Sequence, residues 1–456
     1  MGKLFRGRCY LTTDGADGDT TGWLDRVDPV NVSPPDTSTS NTTTLGLSAG
    51  APVVLTENNT GTALYEIKSD QNYGQTFTVS GSGTYTVGAI HLNMSRVSSP
   101  ANQTLTLTIR TAWNSGILAT VIIPTGNITT GGNDVAIEIP GGLTLNYGTQ
   151  YFLRVTSNST SGGYYWRGSS SDVYSGGTQI KPDGTTDTKD MRFRVVSGVI
   201  VDAVTSDQSN GTVSTRAISH TTGSGDNRLM LVGVGIYRDE SSNRHISAIT
   251  YAGQSLTKYA ERNNTDGTVR TEIWYLVNPP SGTANVVINT SGSSARLITG
   301  IATFVGVDQT SPLGTAQTFG ANSGNPTVTV TSETGGLVFD VTARDNNGSW
   351  TPGAGQFERW DLSNGSDLTG AGSTEAGLAS VVMSWTSDDN SQQISQAAVP
   401  IRPATTGGGT TAATFVQTPV MASDLELPAG AAINVINFVN VVSGTMPAKP
   451  IGFGVA

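Results

Sequence analysis

The sequence predicts an all-β protein, and three observations lead to this class. Charged residues make up 13% of the 456 residues, roughly half of the usual share, while 56 residues are glycine. Much of the remaining polarity comes from threonine, which favours strands, and from serine and asparagine, which favour turns. Short segments of alternating apolar residues follow one another between glycine-rich turns. We therefore expect two tandem antiparallel β-sandwich (jelly-roll-like) domains, with an extended N-terminal arm and an apolar C-terminal strand segment.

The arm is predicted over residues 1–63. Pro34 and Pro35 favour an extended backbone, and the Thr/Ser/Asn-rich run after them has too few apolar side chains to fold alone. Two interpretations are open for this segment: a disordered linker, or an ordered strap that lies on a neighbouring molecule.

The first sandwich is predicted over residues 64–199. In TLTLTIR, Leu105, Leu107 and Ile109 point to one face, and VAIEI, YFLRVT and MRFRVV add similar alternating segments. The block resembles small jelly-roll modules of bacterial surface proteins and bacteriophage structural proteins, through QTFTVSGSGTYTVGAIHLNMSR and GLTLNYGTQYFLRVTSNS. This resemblance supports the fold more than any activity.

The second sandwich is predicted over residues 200–403. Its segments include RLMLVGVGIY, a TYAGQSLT hairpin from Thr250 to Thr257, a WYLVNP strand from Trp274 to Pro279, and a closing GVDQTSP. These motifs, in this order, resemble a β-sandwich module of secreted bacterial and phage proteins. This resemblance also supplies no catalytic residues.

The last segment is predicted over residues 404–456. It begins with ATTGGGTTAAT, which has the composition of a flexible linker, and then becomes strongly apolar. An isolated strand of this kind would be an aggregation hazard. The segment either packs back on the second sandwich or pairs with a neighbouring subunit. In the second case the docking candidates are Ile433, Val435, Ile436, Phe438 and Val439.

A cluster of carboxylates lies near the N-terminus, at Asp14, Asp17 and Asp19. The spacing differs from that of a calcium-binding EF-hand loop, and Asp-Gly is a strong turn signal, so a turn is favoured and a metal is a weak alternative. The surrounding CYLTTDGADGDTTGWLDRVDP resembles the openings of some phage virion proteins. His91, His220 and His245 form no zinc motif. We expect no metal and no cofactor.

Two aromatic segments between glycines are the best candidates for contact with a glycan or a partner protein. Exposed aromatic rings can stack on a sugar, and Trp, Tyr and Arg are enriched at protein contacts. The alternative is that the rings fill the ends of the sandwiches. The candidates are Tyr164, Tyr165, Trp166, Arg167, Tyr174, Trp350, Phe357, Arg359 and Trp360.

Several partners and locations are disfavoured. The net charge of −10 and the lack of a basic stripe argue against nucleic acid. No apolar run approaches the ~20 residues of a membrane-spanning helix, so no membrane is expected. The opening MGKLFRGRC has basic residues but no apolar core of ~7–15 residues, so a chain that starts at Met1 is not expected to be exported. One cysteine, Cys9, excludes an intramolecular disulfide.

Three classes of function fit these observations. The first is a structural virion protein of a bacteriophage, such as a capsid decoration protein, a head fibre or a tail-associated fibre, anchored by its termini. Its partners would be other virion subunits and further copies of itself, with a possible host surface glycan. The second is a secreted bacterial surface adhesin or extracellular filament subunit. The third is a polysaccharide-degrading enzyme, which needs two acids held ~5–10 Å apart in a cleft. Asp340, Asp345, Glu358 and Asp361 are the acids that could form such a pair. We favour the first class and expect no enzyme activity.

Overall fold

The computed structural model describes residues 54–100, 102–209, 211–237, 244–291, 295–365 and 367–404, and the strands 42–45, 413–420 and 433–439. The chain forms two compact units. Residues 49–409 make one unit, and residues 1–48 together with 410–456 make the other. The all-β class is confirmed, because the described elements are strands apart from one short 3-10 turn at Thr125–Asn127. In the part of the chain that the structure describes, no helix has the length and apolar character needed to cross a membrane.

The unit that contains both chain ends holds a three-stranded antiparallel sheet. Its N-terminal strand is β1 (Thr42–Leu45). That strand pairs with residues 413–420, which in turn pair with residues 433–439. Both ends of the chain therefore contribute to one sheet.

The first sandwich of the larger unit contains two sheets. Its strands are β2 (Val54–Asn58), β3 (Ala63–Glu66), β4 (Tyr73–Thr78), β5 (Thr84–Arg96), β6 (Leu105–Ala112), β7 (Ser115–Ile123), β8 (Asn133–Asn146), β9 (Gln150–Ser157), β10 (Tyr164–Gly168), β11 (Gln179–Ile180), β12 (Thr186–Asp187) and β13 (Phe193–Val196). Sheet 1 has the order β2-β13-β5-β10-β3, with β8 paired to β5. Sheet 2 has the order β12-β11-β4-β9-β6-β7. The neighbours β3-β10-β5-β8 and β4-β9-β6-β7 follow the strand order of a jelly roll.

The region from residue 200 to residue 403 contains four sheets rather than two. Its strands are β14 (Ile200–Gln208), β15 (Thr215–Thr222), β16 (Leu229–Tyr237), β17 (Ile246–Tyr251), β18 (Gln254–Ser255), β19 (Thr257–Asn263), β20 (Val269–Val277), β21 (Gly282–Thr290), β22 (Arg296–Val305), β23 (Gln317–Ala321), β24 (Thr327–Val330), β25 (Leu337–Asp345), β26 (Trp350–Pro352), β27 (Phe357–Ser363), β28 (Leu368–Ala376), β29 (Val381–Ser387) and β30 (Ile394–Ile401). The remaining strands, β31 (Ala413–Val420) and β32 (Ile433–Val439), belong to the sheet of the chain ends.

These four sheets form two sandwiches with the same topology. Sheet 3 has the order β14-β22-β16-β20-β19, and sheet 4 has the order β15-β21-β17-β18. Sheet 5 (β23-β30-β25-β28-β27) and sheet 6 (β24-β29-β26) repeat this arrangement strand for strand, except that β18 has no counterpart. Each sandwich has jelly-roll order, but its fifth long strand lies at the edge of the larger sheet. The sequence alone predicted one sandwich here because period-two alternation does not reveal which sheet a strand joins.

The two larger sheets pack face to face, so the layers follow the order sheet 4, sheet 3, sheet 5, sheet 6. Strand β16 shows the consequence. Leu229 and Leu231 face sheet 5, while Met230 and Val232, which alternate with them, face sheet 4. Eight of its nine residues are buried. A strand with both faces covered needs apolar or small residues at every position.

Glycine lets sheets 3 and 5 approach closely. A Cβ atom built on Gly300 of β22 would lie 2.2 Å from the ring of Trp360, and one built on Gly372 of β28 would lie 2.1 Å from the same ring. Trp360 is only 5% exposed and packs beside Phe339, with 5.8 Å between ring centroids. One indole thus fills the space that two glycines leave between the sheets.

This packing predicts a specific coupling between Gly300 and Trp360. We expect Trp360→Ala to lower the free energy of unfolding by about 3–5 kcal/mol, the usual cost of a large cavity. Gly300→Ala should destabilise the chain strongly when Trp360 is present and far less in the Trp360→Ala background, where the methyl group has room. Denaturant unfolding of the four chains measures the coupling. Val382→Ala, at a side chain that is 48% exposed, is the control. Additive effects of Gly300→Ala and Trp360→Ala would contradict this description.

Candidate functional site

The aromatic residues that the sequence offered as contact candidates are largely interior. Tyr164 and Trp166 lie on the core face of β10 and are 7% and 0% exposed. Tyr174, Trp350 and Trp360 are 8%, 4% and 5% exposed. These five rings have no open face on which a sugar could stack, and in this chain they fill the interior of the sandwiches. The glycines on either side of YYWRG suggest a loop. In the structure this segment is a regular strand whose side chains alternate between the core and the outward face.

The other four candidates are half-buried. Tyr165 and Arg167 alternate with the core residues of β10, and the Arg167 guanidinium donates to the carbonyl oxygen of Gly131 at 2.6 Å. Phe357 and Arg359 belong to β27. Arg359 does contact a partner, but the partner is the first sandwich of the same chain.

The four acids considered for sugar hydrolysis also lie within sheet 5. Asp340 on β25 is fully buried and accepts hydrogen bonds from Trp385 Nε1 (2.7 Å), Gln396 Nε2 (2.8 Å) and the Ser373 hydroxyl (2.6 Å). Burial raises the pKa of Asp340 to about 6, although these hydrogen bonds oppose the shift. Burial likewise raises the pKa of Asp345, Glu358 and Asp361. Asp340 is thus enclosed and holds neighbouring strands together, whereas Asp345 and Asp361 are partly buried and Glu358 is exposed.

The most unusual chemistry lies where the first sandwich meets sheet 5. Glu138 is on the face of β8 that points away from its own core, and it is 3% exposed. Its carboxylate forms an ion pair with the guanidinium of Arg359 on β27 and accepts a hydrogen bond from Thr374 Oγ1 at 2.8 Å. The same guanidinium donates to Thr374 Oγ1 through Nε at 2.9 Å. We call Glu138, Arg359, Thr374, Glu375 and Asn127 the junction cluster.

The second acid of the junction cluster is Glu375 on β28. It is 5% exposed, and its Oε1 accepts a hydrogen bond at 2.9 Å from the side-chain amide of Asn127, which lies in the 3-10 turn of the first sandwich. Burial, together with the nearby carboxylates of Asp340 and Glu138, raises the pKa of Glu375 to about 8. At neutral pH this side chain is therefore largely protonated. The geometry allows the cluster to take up a proton and to fix the first sandwich against sheet 5.

A small polar depression lies on the same outward face of sheet 1. Its lining includes His91, Asn93, Asp134 and Arg194. Asp134 accepts from Asn93 Nδ2 at 2.6 Å and from Arg194 Nη1 at 2.8 Å. His91 is 1% exposed, and neither of its ring nitrogens has a hydrogen-bond partner among the described residues. Burial lowers the pKa of His91 to about 4, so the imidazole is neutral at physiological pH.

The remaining predicted sites belong to the chain ends. Asp14, Asp17 and Asp19 lie outside the described residues. Ile433, Val435, Ile436, Phe438 and Val439 lie on β32, whose backbone pairs with β31 of the same chain, with Ile436 opposite Gln417. Their role in subunit docking stays a prediction. Within the described ranges, no group of three or more His, Cys, Asp or Glu side chains is arranged to hold a metal ion.

Sequence reasoning missed most of the junction cluster, although part of the signal was present. Glu138 is the one charged residue in the alternating VAIEI segment, at a position that reads as exposed. Glu375 follows the small-residue run GAGST, and such a run is typical of a strand that another layer approaches closely. A buried partner for either acid could not be inferred, because Arg359 is 221 residues from Glu138 in the chain.

Comparison with known proteins gives no assignment. No family model matches the chain, and no curated protein matches it. Among solved structures, one of the Gt strain of infectious bursal disease virus shares 13% identity, covers 86% of this chain and 87% of that chain, and has a TM-score of 0.17. One of T=3 Penaeus vannamei nodavirus shares 11% identity, covers 66% and 99%, and has a TM-score of 0.16. TM-scores this low carry no argument about this protein.

The raised pKa of Glu375 predicts a pH dependence of stability. A folded-state pKa of about 8, above the ordinary value of 4.5, means that the folded chain binds the proton more tightly than the unfolded chain. The free energy of unfolding should therefore fall as pH rises from about 5 to about 8, by at most ~1.4 kcal/mol per pH unit for one proton. Asp340, with its pKa raised to about 6, acts in the same direction.

Glu375→Gln tests this directly, because glutamine keeps the shape and the acceptor of the protonated acid. We expect the variant to lose much of the decline in stability between pH 6 and pH 8, as followed by denaturant unfolding at a series of pH values. Glu333→Gln, at an exposed residue outside the junction cluster, serves as the control. An unchanged pH profile in Glu375→Gln would show that this side chain is not the titrating group.

The ion pair of the junction cluster leads to a second prediction. Arg359→Met leaves the Glu138 carboxylate buried without its cation and should cost about 3–5 kcal/mol of stability. Glu138→Leu combined with Arg359→Met removes both charges and should recover much of that loss. Denaturant unfolding monitored by tryptophan fluorescence compares the chains. A double variant as unstable as Arg359→Met alone would contradict the proposed pairing energetics.

Proposed function

We propose that this chain is a structural subunit of a bacteriophage virion, held in the particle by its two ends and without catalytic activity. The supporting observation is that β1 and β31 pair with each other, so both ends of the chain contribute to one compact unit, while residues 49–409 form another. In this proposal the unit that holds both chain ends makes the attachment, and residues 49–409 remain a separate compact unit. Capsid decoration protein, head fibre and tail-associated fibre are the roles that this arrangement suits.

The larger unit has the properties expected of a durable spacer. Three jelly-roll sandwiches follow one another, and sheets 3 and 5 are covered on both faces. The junction cluster joins the first sandwich to sheet 5 by an ion pair and side-chain hydrogen bonds. Buried polar networks of this kind fix the relative orientation of the parts that they connect. If the spacer touches a host glycan, the half-buried Tyr165 and Arg167 are better placed for contact than the buried rings.

The proposal is tested by locating the chain in a culture that produces it. Particles released by lysis are purified by density-gradient centrifugation, and peptides of this chain are sought by mass spectrometry. We expect the peptides in the particle band at a fixed ratio to the major particle proteins. Peptides confined to the cell envelope or the culture medium would overturn the proposal and favour the adhesin or filament alternative. Release of sugars from capsular polysaccharide by the purified chain would overturn the proposed absence of activity.

A further inference from the structure

Strand β7 is an edge of sheet 2 without the usual protection. Its sequence, SGILATVII, contains neither a charged residue nor a proline. From Leu118 to Ile123 its exposure alternates, with Val121 and Ile123 buried in the core of the first sandwich. Ile117, Leu118 and Ile122 are 56%, 41% and 64% exposed. An apolar edge of this kind is a ready site for pairing with another strand.

Within residues 49–409, the other described edge strands of seven or more residues differ from β7. Edge strands are commonly protected from pairing by charged side chains. Asp202 and Asp207 lie on β14, and Arg216 lies on β15. Strands β8, β19 and β27 also carry charges, at Asp134, Glu138, Lys258, Glu261, Arg262, Glu358, Arg359 and Asp361. Among the described edge strands of residues 49–409 that have seven or more residues, β7 is thus the one without a charge, and β32 in the unit of the chain ends shares this property.

The sequence of β7 is complementary to itself in one antiparallel register. A two-fold axis at Thr120 places Leu118 of one copy opposite Ile122 of the other, and it places Thr120 opposite Thr120. All three positions lie on the exposed face of the strand. Cross-strand pairs of apolar residues and of threonines both stabilise a sheet. A two-fold contact of this kind uses the same surface on both partners and closes upon itself.

We propose that β7 binds β7 of a second copy of this chain, antiparallel about Thr120, so that the two copies of sheet 2 form one continuous sheet. The second copy is the occupant because the register pairs the exposed residues of the strand with one another. The opposite edge of sheet 2 is β12, which has only two residues and carries Asp187, so pairing is confined to the β7 side. This contact does not depend on the virion role proposed above.

Charge substitutions at the paired positions test both the surface and the register. In Leu118→Lys/Ile122→Lys, lysines lie opposite each other twice, and we expect the dissociation constant of the dimer to rise roughly 10-fold or more. In Leu118→Lys/Ile122→Glu, each lysine lies opposite a glutamate of the partner, and the dimer should persist. Mixing the double-lysine chain with Leu118→Glu/Ile122→Glu should restore pairing between the two.

The molar mass of the full-length chains is measured by sedimentation over a range of concentrations and ionic strengths. Val97→Lys/Val382→Lys, at residues that are 41% and 48% exposed away from β7, is the matched control and should associate like the parent. Circular dichroism checks that every variant is folded. A monomeric parent chain overturns the proposal. So does an equal loss of association in the Lys/Lys and Lys/Glu variants, because only the proposed register distinguishes them.

Discussion

The close packing of sheets 3 and 5 is the constraint on which the larger unit depends. Each of these sheets is covered on its other face as well, so strands such as β16, β28 and β30 are buried almost throughout. Close approach requires small residues where the layers meet, and Gly300 and Gly372 leave the space that Trp360 fills. Each sandwich contributes one of these sheets, and the repeated topology brings equivalent sheets together.

The junction cluster extends this arrangement to the first sandwich. Ala89, Ala136 and Val196 on the outward side of sheet 1 join the same hydrophobic cluster as Phe339 and Val341 of sheet 5. Glu138 and Glu375 lie beside this apolar contact, and removing them from water is costly unless each is paired or protonated. The Arg359 guanidinium meets the first need, and the proton held by Glu375 meets the second. Burial of apolar side chains thus stabilises the contact between the first sandwich and sheet 5. The polar groups of the junction cluster determine how the two are oriented.

These features together support the structural role proposed above. Several candidates that the sequence offered are buried, and Asp340, Trp166 and Trp360 pack within or between the layers. Surfaces that can reach other molecules lie at the edges of the sheets, where backbone groups and exposed apolar side chains remain available. The proposed association through β7 and the proposed attachment through the chain ends use such edges, and neither requires a catalytic centre.

The all-β class, the alternating strands and the turns could be predicted from the sequence, because they depend on residues close together in the chain. Leu105, Leu107 and Ile109 were read correctly as the core face of a strand. Only the tertiary structure decided what covers the second face of each strand. It placed Trp166 and Trp360 in the interior, divided residues 200–403 between two sandwiches, and brought Glu138 to Arg359. Period-two alternation distinguishes two faces of a strand, but the partner of each face comes from residues tens to hundreds of positions away.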